Sequence, residues 1–249
     1  MSTLATLSGT ELRLAGRELS VMLFSFVFPT LLMLVLAGVF AGDSGAIYGG
    51  ASGTDYYLAA YLAIPVAATA FVGLPTMLAT YRERGVLRRF AAFGVTPLRV
   101  MTAQTLACFV LAVLGSAVEM AVAAAVYGLP SSENIAAIVA FYLLGAATLL
   151  LLGAVLGLLA RNARAASALG LMVFFPMWIL GGGGPPTGVM TDTMRRIADV
   201  LPLSHMTAGL RGAWLAGDGF AAEHLLALGG WLAAGVVLLV LLLRRAVSR

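Results

Sequence analysis

The sequence predicts an all-α integral membrane protein with six transmembrane helices and both ends on the same side. Three observations predict it. The 249 residues are 61% hydrophobic and only 10% charged, with a mean hydropathy of +1.00. A soluble domain carries about 25% charged residues, so too little polar surface remains here to coat a water-soluble globule. Apolar runs close to the roughly 20 residues that cross a bilayer as a helix recur along the chain. All fifteen basic residues are arginines, and they cluster beside those runs. In that arrangement a pI near 9.6 reads as a topology signal rather than a nucleic-acid surface.

The spans are residues 21–41, 56–80, 97–127, 135–160, 165–180 and 223–243. The first has a run too long for a signal-peptide core, although Val39-Phe40-Ala41 resembles a cleavage site, so it is read as retained. The fifth is short: at 1.5 Å per residue it measures about 24 Å, below the hydrocarbon thickness of about 30 Å. It must thin the bilayer, or the chain after it must re-enter. Arg13, Arg17, the group at 82, 84, 88, 89 and 99, then Arg161, Arg164, Arg244, Arg245 and Arg249 fall on one side. Only Arg195, Arg196 and Arg211 fall on the other, where Asp43, Asp55, Glu133, Asp192, Asp199, Asp218 and Glu223 gather. The positive-inside rule then places both ends in the cytoplasm.

Residues 4–20 form an amphipathic helix lying in the interface before the first span, with Leu4, Leu7, Ala15 and Leu19 on one face, Arg13 and Arg17 opposite, and Glu11 and Glu18 at the edge. Between the second and third spans, Val86, Phe90 and Phe93 make an apolar stripe opposed by Arg84 and Arg88, and Thr96-Pro97 caps and starts the next helix. This reads either as a working surface helix or as an ordinary positive-inside loop. Before the last span, Met190, Met194, Ile197 and Leu201 make one amphipathic helix. After Pro202, Ser204 caps a second that carries Met206, Leu210 and Trp214. Together they suggest an outer re-entrant hairpin, covered by protein at depth.

Catalytic chemistry finds little to hold. A P-loop needs a lysine, and the chain has none. Gly181-Gly182-Gly183-Gly184 runs into Pro185-Pro186 and reads as a helix stop at the membrane surface. His205, His224 and the lone Cys108 show no metal-ligand spacing. No cofactor is expected in this chain. Glu119, in the outer half of the third span, is an expensive residue to place in a membrane. It reads as a gate or substrate contact, or as a structural pair with Arg211 or with a helix N-terminus of the hairpin. Phe71, Phe174, Phe175, Met177 and Trp178 read as packing residues or as the lining of an apolar path. Gly153-x-x-x-Gly157 offers a close helix-packing face.

The segment Tyr81-Arg82-Glu83-Arg84-Gly85-Val86-Leu87-Arg88-Arg89-Phe90, continuing to Gly94-Val95-Thr96-Pro97-Leu98-Arg99-Val100, resembles the E-R-G-x-L-x-R…P segment of ABC-2 type transporter permeases. These are the exporters that include daunorubicin-resistance-like drug pumps. Ala160-Arg161-Asn162-Ala163-Arg164-Ala165-Ala166 is similar to the stretch entering that family's fifth span. Asp199-Val200-Leu201-Pro202-Leu203-Ser204-His205, followed by Leu210-Arg211, is similar to its N-P-L-x-H…R, with Leu201 where Asn is common. The resemblance implies a single ABC-2 type transmembrane domain over 1–249, in a bacterial plasma membrane. It implies two copies of a separate cytoplasmic ATPase that carries ATP and Mg, and a second permease copy, identical or related. Residues 82–93 would be the coupling helix seated in the ATPase, with Arg82, Glu83, Arg84, Gly85, Arg88, Arg89 and Phe90 as contacts.

The expected function is a permease subunit exporting a hydrophobic drug-like or lipid-like substrate, since the spans offer aromatic and aliphatic groups with few sugar-type hydrogen bonders. The alternatives are a polysaccharide or ion export permease of the same family, or an ATP-independent secondary transporter or channel. The last usually shows several intramembrane ionisable residues, and one Glu fits it poorly.

Overall fold

The computed structural model describes residues 3–247 apart from 133 and 218. Glu133, Asp218 and Arg249, which enter the charge asymmetry, lie outside the described residues. Among the described residues everything regular is helical, and a lone antiparallel bridge, Ser44–Ser52, closes the loop after the first span.

Helix α1 is Thr3–Ala15. Leu19–Met22, Leu23–Val27 and Phe28–Val39 follow as one unbroken helical run, α2, which at 1.5 Å per residue is about 31 Å long. Among the described residues five helices are long and apolar enough to cross a membrane: α3 (Gly53–Glu83), α5 (Pro97–Val126), α6 (Ile135–Leu159), α7 (Ala163–Gly183) and the body of α10 (Ala222–Arg244); the apolar part of α2, Leu23–Val39, is shorter. Three short α-helices lie between them: α4 (Val86–Ala92), α8 (Asp192–Ala198) and α9 (Pro202–Arg211), the last running on as a π turn over Gly212–Ala216; 3-10 turns at Ala46–Tyr48 and Thr187–Val189 are also present.

Helix α3 is the hub. Ser52 caps it by accepting from the Asp55 N–H at 3.1 Å, and almost all of its most apolar stretch is buried. Helices α2, α5, α6, α7 and α9 pack around it. Prolines shape that packing. Pro29 and Pro75 have no N–H to give to the carbonyls four residues earlier, those of Ser25 and Phe71, and each follows a π turn, Leu23–Val27 or Thr69–Gly73. Neighbouring helices close on these freed oxygens with glycine. A Cβ on Gly115 would overlap the Ser25 oxygen, and one on Gly170 the Phe71 oxygen. Gly153 abuts the adjacent Ala70 carbonyl in the same way, and Gly157 lies against Pro75 and Leu78. The Gly153-x-x-x-Gly157 pattern is therefore the face by which α6 meets α3.

The fifth span's α-helix Ala163–Trp178 continues to Leu180 and stops at Gly181 and Gly182, whose backbone angles are non-helical (Gly182 φ 97°). The glycine run is thus the helix stop that the sequence predicts, and protein covers it. Gly181, Gly182 and Gly183 are buried under α9, where Thr207 donates to the Gly181 carbonyl at 2.6 Å. Two sequence expectations need correction. Ser204 does not cap α9. Leu201 occupies that position without a side-chain bond, and Pro202 starts the helix. On α8 the inward residue is Ala198, while Ile197 points out at 48% exposure. The hairpin does nest in protein, with Leu203, Met206 and Leu210 fully buried against α3, α6 and α10.

Candidate functional site

The arginine-bearing turn is built by two left-handed glycines, Gly85 and Gly94, which bracket α4. At about 10 Å, α4 buries none of its residues. Val86, Leu87 and Phe90 are half-buried, while Arg84, Arg88 and Arg89 are exposed. Phe93, expected in the apolar stripe, instead caps the helix end and stands 83% exposed. Thr96 then caps α5 by accepting from the Arg99 N–H at 3.4 Å.

The seven predicted coupling residues divide into two groups. Arg82 and Glu83 are spent inside the chain. Arg82 Nη1 donates to the Leu158 carbonyl at 3.0 Å and Nη2 to that of Ala160. The Glu83 carboxylate accepts from the Ala163 N–H at 3.0 Å, complementing the positive end of α7. These two side chains rivet the end of α3 to the junction of α6 and α7. Arg84, Gly85, Arg88, Arg89 and Phe90 remain at the surface, and among the described residues no acid pairs with the three arginines.

Helix α1 lies against α5 and turns Ala15 inward as its apolar face predicts, together with a residue that the amphipathic pattern places only at the edge. Glu11 is 2% exposed, accepting from the Tyr81 hydroxyl at 3.0 Å and the Gln104 amide at 3.3 Å. Leu19 points away at 73% exposure because it belongs to α2. Burial pushes the Glu11 carboxyl above its ordinary value of 4.5, and the bonds from Tyr81 and Gln104 pull the other way. The folded state therefore holds the Glu11 proton more tightly than the unfolded chain does. Stability from this site is fullest at low pH and falls as pH rises from about 4.5 through the raised value. Glu11→Gln should flatten that dependence, read as protease release of α1 across pH 4.5–7.5. An unchanged pH profile would mean that Glu11 does not hold α1.

The five predicted path residues do not share one surface. Phe71 and Met177 line an apolar cleft of about 390 Å³ between α3, α6, α7 and α10. Phe175 and Trp178 face the other way, with ring centroids 6.1 and 5.9 Å from that of Phe28 on α2. Phe174, fully buried, lies on the α2 side as well, its ring centroid 6.0 Å from that of Phe28 and 6.4 Å from that of Phe24. A larger apolar cleft of about 550 Å³, between α5, α6 and α10, is lined by Met101, Leu106, Phe109 and Leu151 among others, and the sequence reading named none of these.

Glu119 and Arg211 do not pair. Glu119 is 0% exposed, and among the described residues neither carboxyl oxygen has a hydrogen-bond partner. Ser116, one turn back, is engaged with the Leu62 carbonyl and Tyr142. Tyr61 donates to the Gly183 carbonyl at 2.9 Å and accepts from Trp178 at 3.2 Å. Arg211 instead lies over the Tyr56 ring, 4.0 Å from its centroid. The two histidines, distant in sequence, do meet: His205 Nδ1 is 3.1 Å from His224 Nδ1, and His205 Nε2 is 2.8 Å from the Asp199 carbonyl. That carbonyl can only accept, so His205 donates to it from Nε2. Among the described residues no larger group of potential metal ligands forms.

No curated protein and no solved structure matches this chain. A family model described as ABC-2 family transporter protein matches residues 43–244. The match begins after α2 and takes in the arginine turn, the α6–α7 junction and the hairpin. With about four-fifths of its length covered by that match, the chain, a multi-pass membrane protein, belongs to the ABC-2 family of transporter proteins.

Proposed function

We propose that this permease of an ABC transporter is the membrane subunit of an ATP-driven exporter that moves a hydrophobic drug-like or lipid-like molecule out of the cytoplasm or inner leaflet. In general such a permease works with a partner ATPase, and the missing lysine leaves nucleotide chemistry to that partner. In this reading two ATPase copies grip two permease copies, identical or related, on the cytoplasmic face of a bacterial plasma membrane.

The observation that carries the reading is the division within the arginine turn. Arg84, Arg88, Arg89 and Phe93 are free for a partner, while Arg82 and Glu83 tie the same turn to the helices behind it. A push on α4 reaches α6 and α7 through those bonds, and reaches the packed hub through α3 itself. The apolar clefts supply surface for a greasy substrate.

Arg82→Gln separates docking from transmission. The substituted chain should still bind the ATPase, within about threefold, because the docking arginines remain, while transport falls roughly tenfold. Equal losses of binding and transport would place Arg82 in the docking surface instead. The function itself is tested by reconstituting the chain with its ATPase in vesicles and following efflux of a hydrophobic dye. Efflux should require ATP hydrolysis and ignore ion gradients. Efflux driven by a gradient without ATP would favour the ATP-independent alternative.

A further inference from the structure

At the arginine-poor end a cleft of about 420 Å³ opens between the loop after α2, the start of α3 and helix α9 with its π turn. Tyr48, Tyr56, Ala208, Arg211 and Leu215 are among its lining residues. Arg211 is the only cation among them, and among the described residues it has no carboxylate partner. Asp43, in the loop after α2, does not line the cleft; the Tyr48 hydroxyl donates to it at 3.3 Å.

The guanidinium is held in place without being used up. Its Nε donates to the Thr207 carbonyl at 3.3 Å and its Nη2 to the Thr207 hydroxyl at 3.3 Å. Among the described residues the other N–H groups of the fork have no hydrogen-bond acceptor. Its flat face rests on Tyr56, and Gly182 backs it so closely that a Cβ there would strike Nη2. A half-buried cation with no counter-ion gives up hydration, and the contact with Tyr56 returns only about 0.5–2 kcal/mol of that. Such a fork, pre-aligned and only partly satisfied, matches an oxyanion. The tyrosine rings and Leu215 beside it match a small organic body, and the volume falls in the range of ordinary ligand pockets.

We infer that this cleft binds an oxyanion carried on a small organic group, a phosphate ester for example, with Arg211 taking the anion and the Tyr48–Tyr56 wall taking the rest. The inference rests on the cleft alone and holds whether or not the chain exports its cargo with ATP. The ester is either the headgroup of an anionic lipid or a soluble molecule such as glycerol 3-phosphate.

The test uses the purified full chain in uncharged detergent, with binding of phosphatidylglycerol, zwitterionic phosphatidylcholine and glycerol 3-phosphate read by native mass spectrometry. Phosphatidylglycerol should bind about tenfold more tightly than phosphatidylcholine, and Arg211→Gln should remove that preference. Ala208→Leu narrows the cleft with the arginine intact and should weaken binding similarly, so it decides the question if the arginine variant does not fold. Displacement of the lipid by glycerol 3-phosphate identifies a soluble ester, and failure to displace identifies the lipid headgroup. Binding of both esters that is absent, or unchanged within twofold in the variants that fold, overturns the inference.

Discussion

Reversing the charge at Arg88 and Arg89 together, to Glu, is expected to weaken association with the partner ATPase roughly 100-fold while leaving the permease folded. Both side chains are exposed and unpaired by any described acid, so the fold loses nothing when they change. An ATPase groove that accepts two cations at an interface meets two like charges instead, and juxtaposed like charges at a docked surface cost several kcal/mol. Affinity measured by surface-immobilised permease in detergent, with thermal unfolding of the variant as control, reads both halves. The loss should shrink as salt rises, because screening acts on exposed charges. An affinity unchanged within threefold would mean that the arginines serve only topology and headgroup contact.

Gly153→Ala is expected to destabilise the permease by about 3 kcal/mol, or to prevent its recovery as a single species in detergent. The added methyl would overlap the carbonyl of Ala70. That atom belongs to the buried hub and cannot swing aside as the end of a side chain would. Helix α6 must then back away from α3, opening the joint that Gly170 and the Phe71 carbonyl share just beside it. Gly229→Ala on α10 is the matched control. Nothing lies within 4 Å of a Cβ there, and alanine favours a helix by nearly 1 kcal/mol over glycine. Similar unfolding temperatures for the two variants would remove the argument that this close contact holds the bundle.

What the sequence makes legible follows from periodicity and from charge. Helix α5 begins at the Thr96-Pro97 signal and α6 departs from its expected limits by one residue, while the last helix runs on to Val247, past its expected end. Pattern reasoning fails where tertiary partners decide. Glu11 looks like a misfit on an amphipathic wheel because the wheel cannot show Tyr81 and Gln104 waiting opposite. Gly181 to Gly183 do end their helix, as glycine does, but the sequence cannot show that their missing side chains also let α9 settle on the backbone. Composition also pairs Glu119 with Arg211 as opposite charges on one side of the membrane, whereas Tyr56 and Thr207 hold the arginine elsewhere. For the site, the arginine turn is readable as a motif. Its division into exposed residues and an internal rivet is not, because the partners of Arg82 and Glu83 lie more than seventy positions along the chain.

Replacing Phe93 with a photo-activated benzoylphenylalanine tests the central claim most directly. Its ring is 83% exposed at the tip of the turn, so it needs no opening of the fold to reach a partner. Illumination of the assembled transporter should join residue 93 covalently to the partner ATPase, identified by its nucleotide-binding peptides, while the same probe at Leu226, 74% exposed on α10, should not. An intact, ATP-hydrolysing complex that yields no ATPase adduct at residue 93 would contradict the account.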